Sequence, residues 1–333
     1  MLFMSALKMN ISQVLPFNLV RNMAGVNPLI VNYHVVSDKN LPHVINLYKY
    51  RDVKTFGQDL DFLAANYHPI GLRELLDYMK NGTRLPKNSF LITFDDGFKE
   101  VYETAAPILA KKGISATFFI TRDFIDNSSL GFDGKKSLIM EHLLSGVTVP
   151  NELKEIVKGD TSAELVRAIG DIPYSERSQI DRVATLLHVD FRDYLKKVSP
   201  YLTSQQIVEL VREGFTIGSH ALDHANFMQL TLDDQLHQAI SGTHHLCEKF
   251  SLDYKVFAFP YSDSGISHAF FNGIHGKIDA TFGNQGLMTD CIPENFQRIS
   301  YEKTGVSAGK MTRFFYTRKI IKSLLRKNAI HRQ

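Results

Sequence analysis

Two carboxylates stand side by side at Asp95 and Asp96, closing the otherwise apolar run LITFDDG at residues 91–97. Burying one ionised carboxylate is costly and burying two adds repulsion, so the pair either reaches solvent at a turn or faces a positive group. Further along, His220 and His224 are four residues apart. On one turn of helix they would share a face at the spacing of metal ligands. Two imidazole nitrogens and one carboxylate oxygen are a common donor set for catalytic zinc, with positions left for water, and Asp96 can supply the oxygen. Neighbours on a strand point to opposite faces, so Asp95 and Asp96 share a site only if the strand breaks, which Gly97 permits. An Asp-Asp-Gly turn with no further role is the plain alternative. Tyr33-His34 and Pro260-Tyr261 are further polar clusters at the ends of apolar runs, while His237, His244, His245, His268 and His275 read as surface or packing residues.

The elements that must position these groups alternate. Apolar runs at 28–33, 90–94, 116–120, 215–218, 256–259, 280–282 and 296–301 read as strands. Helices are predicted at 55–66, with Thr55 as N-cap, at 73–80, up to Lys112-Gly113, and at 232–249. Thr203 and Gln206 form a capping-box pattern, with Ile207, Leu210 and Val211 on one face and Gly214 as the stop. Residues 122–202 break the rhythm with successive helical patterns and no strand: an insertion that either caps a site or forms a satellite domain. Repeated strand–helix units predict an α/β barrel, complete or distorted, whose strand C-termini open on one face and carry the reactive groups.

With these motifs in order, the chain resembles the NodB-homology polysaccharide deacetylases, carbohydrate esterase family 4. Thr93-Phe-Asp-Asp-Gly97 is similar to that family's first motif, Ser219-His-Ala-Leu-Asp-His224 to its second, and Pro260-Tyr261 to its third. The resemblance covers residues 28–121 and 203–300, not the insertion or the tail. It implies a distorted (β/α) barrel, one divalent cation (Zn²⁺) as cofactor, and removal of acetyl from an N-acetylated glycan. It also implies Asp95 as general base, Asp96, His220 and His224 as metal ligands, and the Tyr261 backbone N–H as an oxyanion donor. Two features depart from the pattern. Ala258 stands where the third motif usually has a base-orienting Arg, and the late Leu-x-His motif of the general acid is missing. Both departures resemble the poly-N-acetylglucosamine deacetylase branch, in which an early Tyr-His takes the acid role; this points to His34. Arg298 is the candidate for the missing base-orienting cation, with a peripheral ion pair as its plain alternative.

The chain's 333 residues, 44% hydrophobic and 22% charged, suffice for a sizeable core. A net charge of +3 does not suit a nucleic-acid binder. Two cysteines, Cys247 and Cys291, make no disulfide framework. No run approaches the ~18 apolar residues of a membrane span. Residues 1–27 read as an amphipathic lead-in rather than a signal peptide, 28–310 as the barrel domain, and 311–333 as a basic amphipathic tail with no Asp or Glu. The tail either docks on the domain or meets an anionic membrane surface. The expectation is a cytoplasmic enzyme, free or membrane-peripheral, acting on a cell-surface glycan. Two other readings stay open: a deformylase or other C–N hydrolase on a lipid-linked amino sugar, and a non-catalytic sugar-binding protein.

Overall fold

The computed structural model describes residues 15–332. Part of the N-terminal lead-in, residues 1–14, lies outside them. Eight parallel strands follow one another around a nearly closed barrel: β1 (Leu29–Tyr33), β2 (Ser89–Phe94), β3 (Ala116–Ile120), β4 (Thr216–Ser219), β5 (Val256–Ala258), β6 (Ala280–Gly283), β7 (Asn295–Gln297) and β8 (Ile299–Ser300). From β1 to β7 each strand pairs with the next, β8 pairs with β1 with Ile299 opposite Val31, and only Arg298 separates β7 from β8 in the chain. The single strand expected at 296–301 is therefore broken. The chain must leave β6 and join β1 there, and one residue outside both ladders makes the change.

The continuous apolar runs explain the burial. All of β1, β2 and β3 is buried on both faces, as parallel strands covered by helices require. Tyr33, Phe94 and Phe118 pack with Phe56 in one aromatic cluster, and each fully buried ring contributes about 1.5–3 kcal/mol.

In chain order the helices are α1 (Phe17–Ala24), α2 (Val53–Asn66), α3 (Leu72–Asn81), α4 (Ala106–Lys111), α5 (Phe132–Leu144), α6 (Ser162–Asp171), α7 (Ser178–Leu186), α8 (Phe191–Val198), α9 (Ser204–Arg212), α10 (Leu232–Phe250), α11 (His268–Ile274) and α12 (Ala308–Leu324). α2 starts two residues before the expected Thr55. Asp52 is its N-cap and accepts from the Thr55 N–H at 2.7 Å, while the Thr55 hydroxyl donates to the same carboxylate. The capping box of α9 is formed as the sequence spacing requires.

Helices α5–α8 make up the insertion and bury a core of their own, including Ile139, Leu143, Ile169 and Val183. A seam of Phe98, Phe124 and Tyr201, with Tyr201 stacked between the two phenylalanines, joins this core to the barrel. The C-terminal helix α12 lies on α1 and α2 and buries Ala308, Met311, Thr312 and Tyr316. Beyond it, Ala329–Ile330 pairs with Thr289–Asp290, and the Arg332 guanidinium is buried between Asp263 and Asp290.

Candidate active site

The polar groups at the strand ends of the barrel meet in one cavity of about 570 Å³. His34, Asp95, Asp96, His220, His224, Tyr261 and Arg298 all line it, although they come from five separate stretches of chain. The insertion closes one side with Asp133, Lys136 and Met140.

At the end of β2 the backbone turns sharply. Asp95 still donates its N–H to the Tyr33 carbonyl at 3.0 Å, as a ladder residue would, but Asp96 and Gly97 take φ of +73° and +80°. This left-handed pair brings both carboxylates to one cavity, which a continuing strand would forbid. A Cβ on Gly97 would meet the Ile120 Cγ2 at 3.0 Å in a conformation that L side chains rarely adopt, so glycine is required there.

Asp96 Oδ1 lies 3.4 Å from His220 Nε2 and 3.2 Å from His224 Nε2. His220 Nδ1 donates to the Ala258 carbonyl at 2.9 Å. A carbonyl only accepts, so Nδ1 carries the proton and Nε2 keeps its lone pair for a cation. Tyr48 donates its hydroxyl to Asp96 Oδ2 at 3.1 Å, whereas Oδ1 is buried with no hydrogen-bond partner. One orphaned carboxylate oxygen and two imidazole nitrogens, all within 4.8 Å of one another, fit a divalent cation. Burial alone would raise the Asp96 carboxyl, but His224, His220 and His34 hold it well below the usual carboxylate range. The histidine pair is not on a helix. Residues 220–226 form an irregular loop after β4, with Ala221 and His224 at φ +68° and +62°; this loop, rather than one helical turn, brings the rings to 5.0 Å.

Arg298 reaches Asp95 from the break between β7 and β8. Its Nη1 donates to Asp95 Oδ1 at 2.7 Å and its Nη2 to Oδ2 at 2.8 Å, and Asn32 adds a bond to Oδ2 at 3.0 Å. Further bonds to Asn32 Oδ1, Thr93 Oγ1 and the Gly283 carbonyl fix the guanidinium, which packs over Phe119. Burial would raise the Asp95 carboxyl; Arg298, together with His220 and His34, outweighs it and lowers the pKa. A cation absent at position 258 is thus supplied from the break after β7, two strands along the sheet from Ala258.

His34 follows β1. Its Nδ1 lies 2.5 Å from Glu302 Oε2, while Glu302 Oε1 accepts the backbone N–H groups of His34 and Val35. Burial opposes a charged imidazole, yet the Glu302 carboxylate pushes its pKa up to about 10. Tyr261, after β5, takes φ +57°, and its N–H makes no hydrogen bond among the described residues. Its hydroxyl donates to Asp133 Oδ2, the same oxygen that lies 3.7 Å from His224 Nδ1.

Glu302, Asp133, Tyr48 and Asn32 escaped the sequence reading. Glu302 carried a signal, an acidic residue two places beyond a strand end like the others. Asp133 sits in a helix with no such mark.

A profile of the family described as "Polysaccharide deacetylase" matches residues 82–165. No curated protein sequence matches significantly. Among solved structures, the deacetylase PplD of Streptococcus pyogenes, in complex with acetate, is 15% identical, with a TM-score of 0.57 over 87% of this chain and 98% of that one. IcaB from Ammonifex degensii is 17% identical, with a TM-score of 0.55 over 88% and 98%. A de-N-acetylase from Aggregatibacter actinomycetemcomitans is 12% identical, with a TM-score of 0.51 over 86% and 99%. At these identities the likeness establishes the fold.

Proposed function

We propose that the chain is a polysaccharide deacetylase of the NodB-homology type and that it hydrolyses the N-acetyl group of an amino sugar in a glycan, with Asp95 as base and His34 as acid. The observation that carries this reading is a pair of opposed charges held in one cavity. Arg298 keeps Asp95 anionic through two short bonds, and Glu302 keeps His34 cationic.

Asp96, His220 and His224 would hold the cation, because their three free donor atoms converge and Ala258 fixes the His220 tautomer. A bound Zn²⁺ would polarise the acetyl carbonyl and lower the pKa of a water to about 7. Asp95 takes the proton of the attacking water at the carboxylate that Arg298 and Asn32 aim. Its low pKa makes it a weak base, suited to a water that is already acidic. The Tyr261 N–H supports the oxygen that gains charge. An amide nitrogen leaves poorly unless protonated, so a separate acid is needed. His34 gives that proton from Nε2 while Glu302 retains its hold on Nδ1. Acetate and a free amino sugar result.

The test is acetate release from a panel of N-acetylhexosamine oligosaccharides and lipid-linked amino sugars, by the wild type and by Asp95→Asn. Acetate release that falls by about 10²–10⁴-fold in the variant supports the reading; full activity of the variant removes Asp95 as base. Release of formate from an N-formylated lipid-linked amino sugar, with no acetate from the N-acetylated ones, would favour the deformylase reading, and binding without turnover the sugar-binding one. The same proposal places the reaction at a cytoplasmic membrane periphery, in building a cell-surface glycan. Its support is helix α12 and the turn after it, where Phe314, Leu324 and Leu325 stay exposed among Lys310, Arg326 and Lys327. Co-sedimentation with anionic liposomes tests that placement.

A further inference from the structure

Beside the catalytic cavity lies a second one of about 360 Å³, and Asn284 lines both. Asn284 also donates to the Tyr261 carbonyl at 3.3 Å, so the two cavities meet at the loop that carries the oxyanion donor. Helix α12 faces this second cavity with Arg318, Lys319 and Lys322, and no Asp or Glu lines it. The three cations are not equivalent. The Lys319 amine is tied to the Ala24 carbonyl at 2.8 Å, a structural bond between α12 and the end of α1. Lys322 has only the Met288 thioether, 3.2 Å away and a weak acceptor. Arg318 is exposed and makes no hydrogen bond or ion pair among the described residues. Gln285 also lines the cavity, and its Nε2 is buried with no partner among the described residues.

Unneutralised cations set close together repel one another, and burial pushes the Lys322 ammonium down further, with Arg318 adding to the shift. An orphaned amide N–H₂ adds the cost of a donor left unmade. One ligand relieves the charge: a group with several acceptor oxygens and negative charge, able to take the guanidinium fork and the ammonium together. A neutral sugar hydroxyl offers too little charge. A single carboxylate offers one charge to two cations.

We propose that this cavity is a subsite for a phosphoryl group on the glycan substrate, next to the sugar whose acetyl group enters the catalytic cavity. The substrate class is then a phosphorylated amino-sugar glycan, bearing either a phosphodiester within the chain or a phosphate at its reducing end. The inference rests on the deacetylase reading for the word substrate, but not for the anion site itself.

Two measurements on the full chain test it. Inorganic phosphate is titrated calorimetrically into wild type and into Arg318→Ala/Lys322→Ala. In parallel, kcat and KM are compared for a matched pair of N-acetylhexosamine oligosaccharides, one with a reducing-end phosphate and one without. The double variant should weaken phosphate binding about tenfold or more, as loss of two charge-assisted contacts requires. It should lower the phosphorylated-to-neutral ratio of kcat/KM by a similar factor, through KM. The charge-preserving pair Arg318→Lys/Lys322→Arg should recover most of both. Acetate release with an unchanged ratio and unchanged phosphate affinity overturns the subsite and leaves the deacetylase reading standing. Phosphate binding that depends on the two cations, with no acetate from any glycan, does the reverse. If phosphatidylglycerol vesicles bind through Arg318 and Lys322 while the kinetic ratio does not move, the cations serve a lipid headgroup and the substrate subsite is overturned.

Discussion

Arg298 grips both oxygens of Asp95, at 2.7 and 2.8 Å, from the one residue that interrupts the seam between β7 and β8. Both side chains are almost fully buried, so neither charge can fall back on water. Arg298→Ala should therefore cost about 3–5 kcal/mol in chemical denaturation, because it strands a buried carboxylate. Arg298→Lys keeps the charge but loses the fork, and should keep most of the stability while lowering kcat. Equal kcat for Arg298→Lys and wild type would reduce the pair to a structural tie.

The His34–Glu302 pair predicts a pH profile. Glu302 raises His34 from 6.5 to about 10 against the effect of burial. The acid must be protonated to act, so kcat falls as pH rises through that value. Glu302→Gln removes the raising charge and should bring the alkaline limb down toward neutral pH. The same raised pKa adds folding stability that is complete below pH 6.5 and is lost as pH climbs through about 10. Superimposable kcat profiles for the two proteins would remove His34 as the acid.

Asp133 reaches the site from the insertion and touches the backs of two groups at once, His224 Nδ1 and the Tyr261 hydroxyl. Groups that orient a metal-binding imidazole typically contribute 10–100-fold to metal affinity. Asp133→Ala should weaken metal binding by about that factor in a direct titration, and Asp133→Asn by less. An unchanged affinity would confine the insertion to shaping the cavity.

Removal of the cation should be visible without turnover. Three donors converge on a space where Asp96 Oδ1 is buried and unpartnered. A chelator should lower Tm, and Zn²⁺ at about 100 times its Kd should restore about 2.7 kcal/mol. Asp96→Ala should abolish the metal-dependent part of that shift. A Tm indifferent to chelator and Zn²⁺ would argue against a metal at this triad.

Much of this architecture is legible in the sequence. Strands buried on both faces must be predominantly apolar, so polar groups at the end of such a run stand out, as Tyr33-His34, Asp95-Asp96, His220 and Pro260-Tyr261 do. Other features were ambiguous for local reasons. Asp52 and Thr55 are both capping residues three apart, and each suits either end of the same bond. The spacing of His220 and His224 matches a helical turn, but the backbone meets it with two left-handed residues instead.

The sequence by itself determined the alternation of elements, the helical character of the insertion, and the strand ends that would carry chemistry, because these follow from periodicity and caps within a few residues. Only the tertiary structure decided how the reactive groups are paired. Arg298 and Asp95 are 203 residues apart, His34 and Glu302 268, Tyr261 and Asp133 128. No local pattern encodes such partners. They are chosen when the barrel closes through Arg298 and the insertion folds over its mouth, which sets which buried charge is neutralised by which.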